Sequence, residues 1–208
     1  MNKTIRRSIA GAVLASLGAS AAAAGGPLGI DHAIGADDAG PWKRRNQVVL
    51  EYGTIAIVLG NALWEGDQSP LGRTHWQAVD SLVIGAVSAQ ALKLAFSRAR
   101  PTQTDSPNAW FQGHGHNSFP SGEVTEIASA ITPYVLEYGA DHPAVYLLEL
   151  LPIYDAVARV KVRAHWQSDV LAGYALGTAV GYYAHSRPGS WTVDVLPRGI
   201  TLGWSKRF

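Results

Sequence analysis

His165 and Asp169 are the first pair in this sequence with the makings of a reactive centre. On a helix, residues four apart share a face one turn apart. A carboxylate so placed accepts the Nδ1 proton, fixes the tautomer and leaves Nε2 free and basic. That is the base-plus-orienter arrangement of nucleophilic sites. A lone histidine is more often structural, and His32, His75, His142 and His185 are read that way.

The cations are unevenly placed. Residues 101–158 hold no Lys or Arg but seven acids: Asp105, Glu123, Glu126, Glu137, Asp141, Glu149 and Asp155. Lys93, Arg98 and Arg100 stand just before this window, and Arg159, Lys161 and Arg163 just after it. Lys93 and Arg100 are seven apart, which on a continuous helix aims both at one spot. A bundle can fold Arg159 onto them. Converging ammonium and guanidinium groups need an anion, and the planar fork of Arg suits phosphate. Taken alone, these charges fit solvated helix ends equally well. A third cluster is Phe119-Pro120-Ser121-Gly122-Glu123. If a helix starts here, the backbone N–H groups of Ser121 and Gly122 form an anion cradle, although Ser also fits as a plain cap. Cations, an oriented histidine and an N–H cradle together describe a phosphate site.

Helices must position these groups. Apolar periodicity predicts them over residues 47–64, 76–98, 123–137, 142–160 and 168–185. Pro101 should end the second, and Pro152 should kink or break the fourth. Residues 25–45 read as an irregular entry segment or short helix, and 101–122 as a loop. Residues 191–208 alternate weakly and suit a short hairpin or an extended strap. The expected fold class is all-α, a helical bundle over residues 25–190 with a short extended C-terminal tail.

The chain has 208 residues, 17 of them Lys or Arg and 16 Asp or Glu, for a net +1. That balance gives no case for nucleic-acid binding. The absence of cysteine excludes disulfides, thiol catalysis and Cys-ligated metals. Residues 1–24 combine Lys3, Arg6 and Arg7 with a short apolar run and Ala22-Ala23-Ala24, the pattern of a cleaved secretory signal peptide. Taking those three from the 17 basic residues leaves 14 against 16 acidic, a net −2. Export places the protein in the periplasm or cell envelope. The apolar segments are short or hold a charge or amide, which favours a packed domain over a polytopic membrane protein. Membrane-surface contact and homo-oligomerisation stay open.

These residues stand in the order and spacing of the type 2 phosphatidic acid phosphatase superfamily, which includes bacterial acid phosphatases and vanadium haloperoxidases. KLAFSRARP, Lys93 to Pro101, resembles its first motif. Pro120-Ser121-Gly122-Glu123 resembles the second, Pro-Ser-Gly-His. Ala158-Arg159, five residues, His165, three residues, Asp169 resembles the third. The string His165 to Val170, HWQSDV, is similar to secreted class A acid phosphatases. The resemblance implies an all-α bundle of the acid phosphatase and haloperoxidase type. It implies a phosphohistidine on His165 oriented by Asp169, with Lys93, Arg100, Ser121, Gly122 and Arg159 holding phosphate oxygens. It implies no metal or other cofactor, with vanadate inhibiting as a phosphate mimic.

Two positions depart from the family. Ala158 stands where the family has Ser. Glu123 replaces the family histidine that resembles the general acid for the leaving alkoxide, so three outcomes are open: Glu123 is the acid, His114 or His116 supplies the proton, or activity is lost. The expected function is an exported, metal-independent phosphomonoesterase acting on small or lipid-linked phosphate esters. The alternatives are an envelope lipid phosphatase, for undecaprenyl pyrophosphate, phosphatidic acid or lipid A, and a noncatalytic phosphate- or lipid-binding relative.

Overall fold

The computed structural model describes residues 25–187, 189–196 and 199–206, the last two stretches as backbone. The expected signal peptide lies outside them. Five helices follow two short 3-10 turns: α1 (Arg44–Glu65), α2 (Pro70–Phe96), α3 (Gly122–Tyr138), α4 (Leu150–Lys161) and α5 (Gln167–Ser186). A 3-10 segment, Pro143–Glu149, precedes α4, so the predicted 142–160 helix is broken ahead of Pro152 rather than at it. An antiparallel hairpin closes the chain, β1 (Gly189–Leu196) with β2 (Gly199–Lys206), pairing Gly189 with Lys206 and Leu196 with Gly199.

Local chemistry sets the helix ends. Gly66, at φ 68°, stops α1 where a side chain would be strained. The Ser69 hydroxyl accepts from Gly72 N at 2.9 Å and Pro70 occupies the first turn, which starts α2. Ser97 turns left-handed, φ 32° and ψ 54°, and ends α2 four residues before Pro101. Arg100 therefore sits on the following loop and shares no helical face with Lys93.

The core is built from small residues packed closely. Ala62, Ala78, Ala128, Ala130 and Ala158 are fully or almost fully buried among Trp76, Val124, Ile127 and Trp166. Gly173, Gly177 and Gly181 form a stripe on α5 against which α3 lies. A Cβ on Gly173 would stand 2.6 Å from the Ser121 carbonyl oxygen, and one on Gly177 2.4 Å from that of Thr125. Backbone oxygens cannot rotate away, so a methyl group must push the two helices apart. Gly173→Ala should lower stability by about 2–3 kcal/mol in urea denaturation. It should also weaken vanadate binding, because the clash falls on Ser121 at the start of α3.

The same packing gathers the helix ends that carry chemistry. The N-termini of α1, α3 and α5 and the C-termini of α2 and α4 meet at one end of the bundle, joined by contacts among Arg44, Lys93, Pro120, Glu123, Arg159 and Asp169. The entry segment straps across it, with Asp37 N bonded to Lys161 O at 2.9 Å and the His32 backbone N–H to Gln167 Oε1 at 3.1 Å.

Candidate active site

His165 precedes α5, on the turn that leads into it. Its Nδ1 lies 2.7 Å from the Ser118 carbonyl oxygen, which can only accept, so Nδ1 carries the proton and Nε2 is the free lone pair. Asp169 is 3.8 Å from Nδ1. The tautomer expected from the sequence is thus present, but a backbone carbonyl fixes it rather than the aspartate, since a residue outside the helix does not obey its four-residue spacing. Burial pushes the His165 imidazole down to about 3, with Lys93 and Arg159 acting in the same direction against Asp169. Nε2 is therefore unprotonated across neutral and mildly acidic pH.

Asp169 ties the turn together. Its carboxylate accepts from the Ser118 hydroxyl at 2.5 Å, Trp166 N at 2.9 Å and Arg98 Nη1 at 2.6 Å. Burial alone would raise its carboxyl, but these donors and the neighbouring His165 outweigh burial and hold it below the usual range. It orients His165 through Ser118, whose hydroxyl it holds and whose carbonyl the imidazole meets.

The expected phosphate ligands assemble around the loop before α3. Lys93 Nζ donates to the carbonyls of Asn117 at 2.8 Å and Pro120 at 2.7 Å. Arg100 Nε donates to Asn117 Oδ1 at 3.0 Å. Ser121 is at the N-cap of α3 but makes no cap bond, and its buried hydroxyl has no partner. That disfavours the plain-cap reading. Ser121 N is spent on the Asp169 carbonyl at 3.0 Å, whereas Gly122 N–H, in the first turn of α3, has no carbonyl within the helix to meet. Arg159 donates Nη1 to Gln47 Oε1 at 3.0 Å and keeps a buried Nε without a partner. Such orphaned donors in a cation-lined pocket suit an anion with several oxygens.

Glu123 stands between two guanidiniums, 2.5 Å from Arg44 Nη1 and 3.2 Å from Arg159 Nη1. His114 is exposed, and His116 is half-buried with an unpartnered Nδ1. Beneath Arg159, Asp155 is fully buried with neither oxygen hydrogen-bonded. Burial, then the charges of Glu123 and Glu51, push its carboxyl up from 3.8 to about 7 against Arg159 and Arg44. A carboxyl raised on folding stabilises fully below its unfolded value, and that contribution is lost as pH climbs from about 4 through 7. Asp155→Asn should therefore gain about 1–2 kcal/mol over the natural protein at pH 8, the gain vanishing by pH 4 in paired urea melts.

Three supporting residues escaped the sequence reading. Arg98 is fully buried, its Nη2 2.6 Å from Asp31 Oδ2 and its Cζ 4.2 Å from the Trp110 ring centre. Asp31 also accepts from Ser168 N at 2.7 Å and the Ser168 hydroxyl at 2.6 Å. Arg44 was hidden in the run Lys43-Arg44-Arg45. Among the described residues, no group of three or more His, Asp or Glu side chains is placed to hold a metal ion.

Residues 74–191 match the model of the PAP2 superfamily. A lipid A 1-phosphatase of Porphyromonas gingivalis is 31% identical over 110 residues, 52% of this chain and 21% of that protein. One from Rhizobium etli is 32% identical over 102 residues, 47% of this chain and 43% of that protein. The matches thus span less than half of either relative. The crystal structure of a transmembrane PAP2 type phosphatidylglycerolphosphate phosphatase from Bacillus subtilis superposes with a TM-score of 0.53 at 16% identity, covering 70% of this chain and 76% of that one. The likeness extends to the helical fold.

Proposed function

The chain belongs to the PAP2 superfamily, and from that premise we propose that it is an envelope phosphatase that removes a phosphoryl group from a lipid through a covalent intermediate on His165. Nε2 attacks phosphorus while Lys93, Arg100, Arg159, the Ser121 hydroxyl and Gly122 N–H hold the equatorial oxygens, where transition-state charge is spread. Water then attacks the phosphohistidine, the P–N bond breaks, and its electron pair returns to Nε2. The clustered cations do the charge stabilisation that a metal ion would do elsewhere, so the reaction as drawn uses none. Vanadate should occupy the same ligands and inhibit.

The observation that carries the lipid reading is the exposed apolar surface of the two helices, α1 and α2, whose ends contribute Arg44 and Lys93 to the cation site. Leu94, adjacent to Lys93 in sequence, and Phe111, whose ring meets that of Phe96 at the end of α2, are each 71% exposed. Val83 and Val87 continue the outward apolar surface along α2, and Val49, Tyr52 and Ile57 do so on α1. Both helices are long and apolar enough to cross a membrane. Exposed apolar area of this extent on helices that end at a polar pocket suits a lipid whose chains stay in the bilayer while its phosphate enters the pocket. The lipid A 1-phosphatase relatives support the same choice over small phosphate esters.

The test compares phosphate release from lipid A and phosphatidic acid in mixed micelles with release from 4-nitrophenyl phosphate and nucleotides. The lipids should show at least about tenfold higher kcat/KM. Equal or better turnover of the soluble esters would contradict the lipid reading, and no turnover with retained vanadate binding would mark a noncatalytic binding protein.

A further inference from the structure

We propose that His116, rather than Glu123, hands the proton to the departing oxygen. The inference rests on the phosphohistidine reading above and adds the acid that reading leaves unassigned. Glu123 holds the position where the family has its acid, yet its Oε2 accepts from Arg44 and its Oε1 from Arg159. Guanidinium N–H bonds on both oxygens hold the carboxyl against Arg44 and Arg159, so it is aimed at those cations and not at a departing oxygen. Its place in the pocket is to hold Arg159 at the phosphate.

The loop before α3 offers the replacement. Gly115 O accepts from Gln103 Nε2 at 3.2 Å, and Gln103 Oε1 accepts from Arg100 N at 2.9 Å. Asn117 binds both Lys93 and Arg100. The Ser118 carbonyl takes the His165 proton. The residues on either side of His116 are thus fastened to the phosphate cations and to the nucleophile. Gly113 and Gly115, at φ 78° and 85°, make the tight turns that bring the loop there. His116 sits within this frame, half-buried, with its Nδ1 shielded from solvent and lacking any partner. A buried polar atom left unsatisfied is an exception that needs a reason, and a reason here is that its partner arrives with the substrate. His114, two residues earlier, is exposed and has no such constraint.

The step balances. Nε2 of His165 forms a bond to phosphorus, the bond from phosphorus to the lipid oxygen breaks, and its electron pair stays on that oxygen. The protonated His116 imidazole gives that oxygen a proton, and the lipid leaves as an alcohol. Neutral His116 then accepts a proton from the water that cleaves the P–N bond, which restores both histidines.

The experiment contrasts leaving groups on the full chain, using dodecyl phosphate, whose alkoxide must be protonated, and 4-nitrophenyl phosphate, whose phenolate departs unaided. His116→Ala should lower kcat on dodecyl phosphate by about 100-fold or more and on 4-nitrophenyl phosphate by less than about fivefold. His116→Gln, which keeps the size of the side chain and its hydrogen bonding, should show the same contrast and covers the case in which the alanine variant disturbs the loop. His114→Ala should change neither rate. Glu123→Gln should slow both substrates by similar factors. Equal losses on the two substrates in both His116 variants, no loss in either, or a selective alkyl loss in Glu123→Gln would each overturn the proposal. Such outcomes leave the phosphohistidine reading intact so long as His165→Ala is dead on both substrates. A natural protein that turns over neither substrate overturns both.

Discussion

His165→Ala should lower phosphate release from a lipid substrate by at least about 1,000-fold, while the circular-dichroism spectrum stays that of the natural protein. Neither Ser121 nor Lys93 can take its place. The Ser121 hydroxyl has no base bonded to it, and Lys93 spends two of its three N–H groups on carbonyls. The buried, Nδ1-protonated imidazole is the group with a lone pair ready at neutral pH. The cations remain in the variant, so vanadate should still bind within about tenfold of its natural affinity. That separates loss of the nucleophile from loss of the pocket. A variant retaining more than a few per cent of the rate would remove His165 from the chemistry.

Arg98→Met should be the most destabilising single substitution at this end of the bundle, costing about 3–5 kcal/mol in urea denaturation. The guanidinium is wholly buried and bridges two buried carboxylates, Asp31 and Asp169, each at 2.6 Å. Methionine approximates its volume, so packing is largely kept, but both carboxylates are stranded without their shared countercharge. Arg98→Lys should recover less than half of the loss, because one ammonium cannot serve both carboxylates, Ser168 and the Pro107 carbonyl. Activity should fall with stability, since Asp169 holds Ser118, and Ser118 holds His165. A loss under about 1 kcal/mol would show that this network does not hold the His165 turn in place.

The sequence made the helical segments and the convergence of the candidate site residues legible for a clear reason. Apolar periodicity reports burial along one element, and the three motifs are each local in sequence. Lys93, Arg100, Ser121, Arg159 and His165 all reach one end of the bundle. What stayed illegible depends on where the chain turns. A left-handed Ser97 stops α2 early, so Arg100 reaches Asn117 from a loop. His165 lies just ahead of α5, so the aspartate four residues on caps the turn and a carbonyl from another segment takes the imidazole proton. Arg98 and Asp31 are 67 residues apart and no local pattern joins them. Arg98 stands two residues before Arg100 among the cations flanking the gap, and its burial was the missing information. Glu123 was visible as a departure, but its partner Arg44, 79 residues away, was not.

The most direct test of the covalent lipid-phosphatase account is rapid quenching of the protein with 32P-labelled lipid phosphate in micelles. A label that is stable to base, labile to acid and mapped to the peptide carrying His165 is the predicted result, and it should be missing from His165→Ala. Full turnover of the lipid with no protein-bound phosphate at any quench time, and with His165→Ala still active, would contradict it.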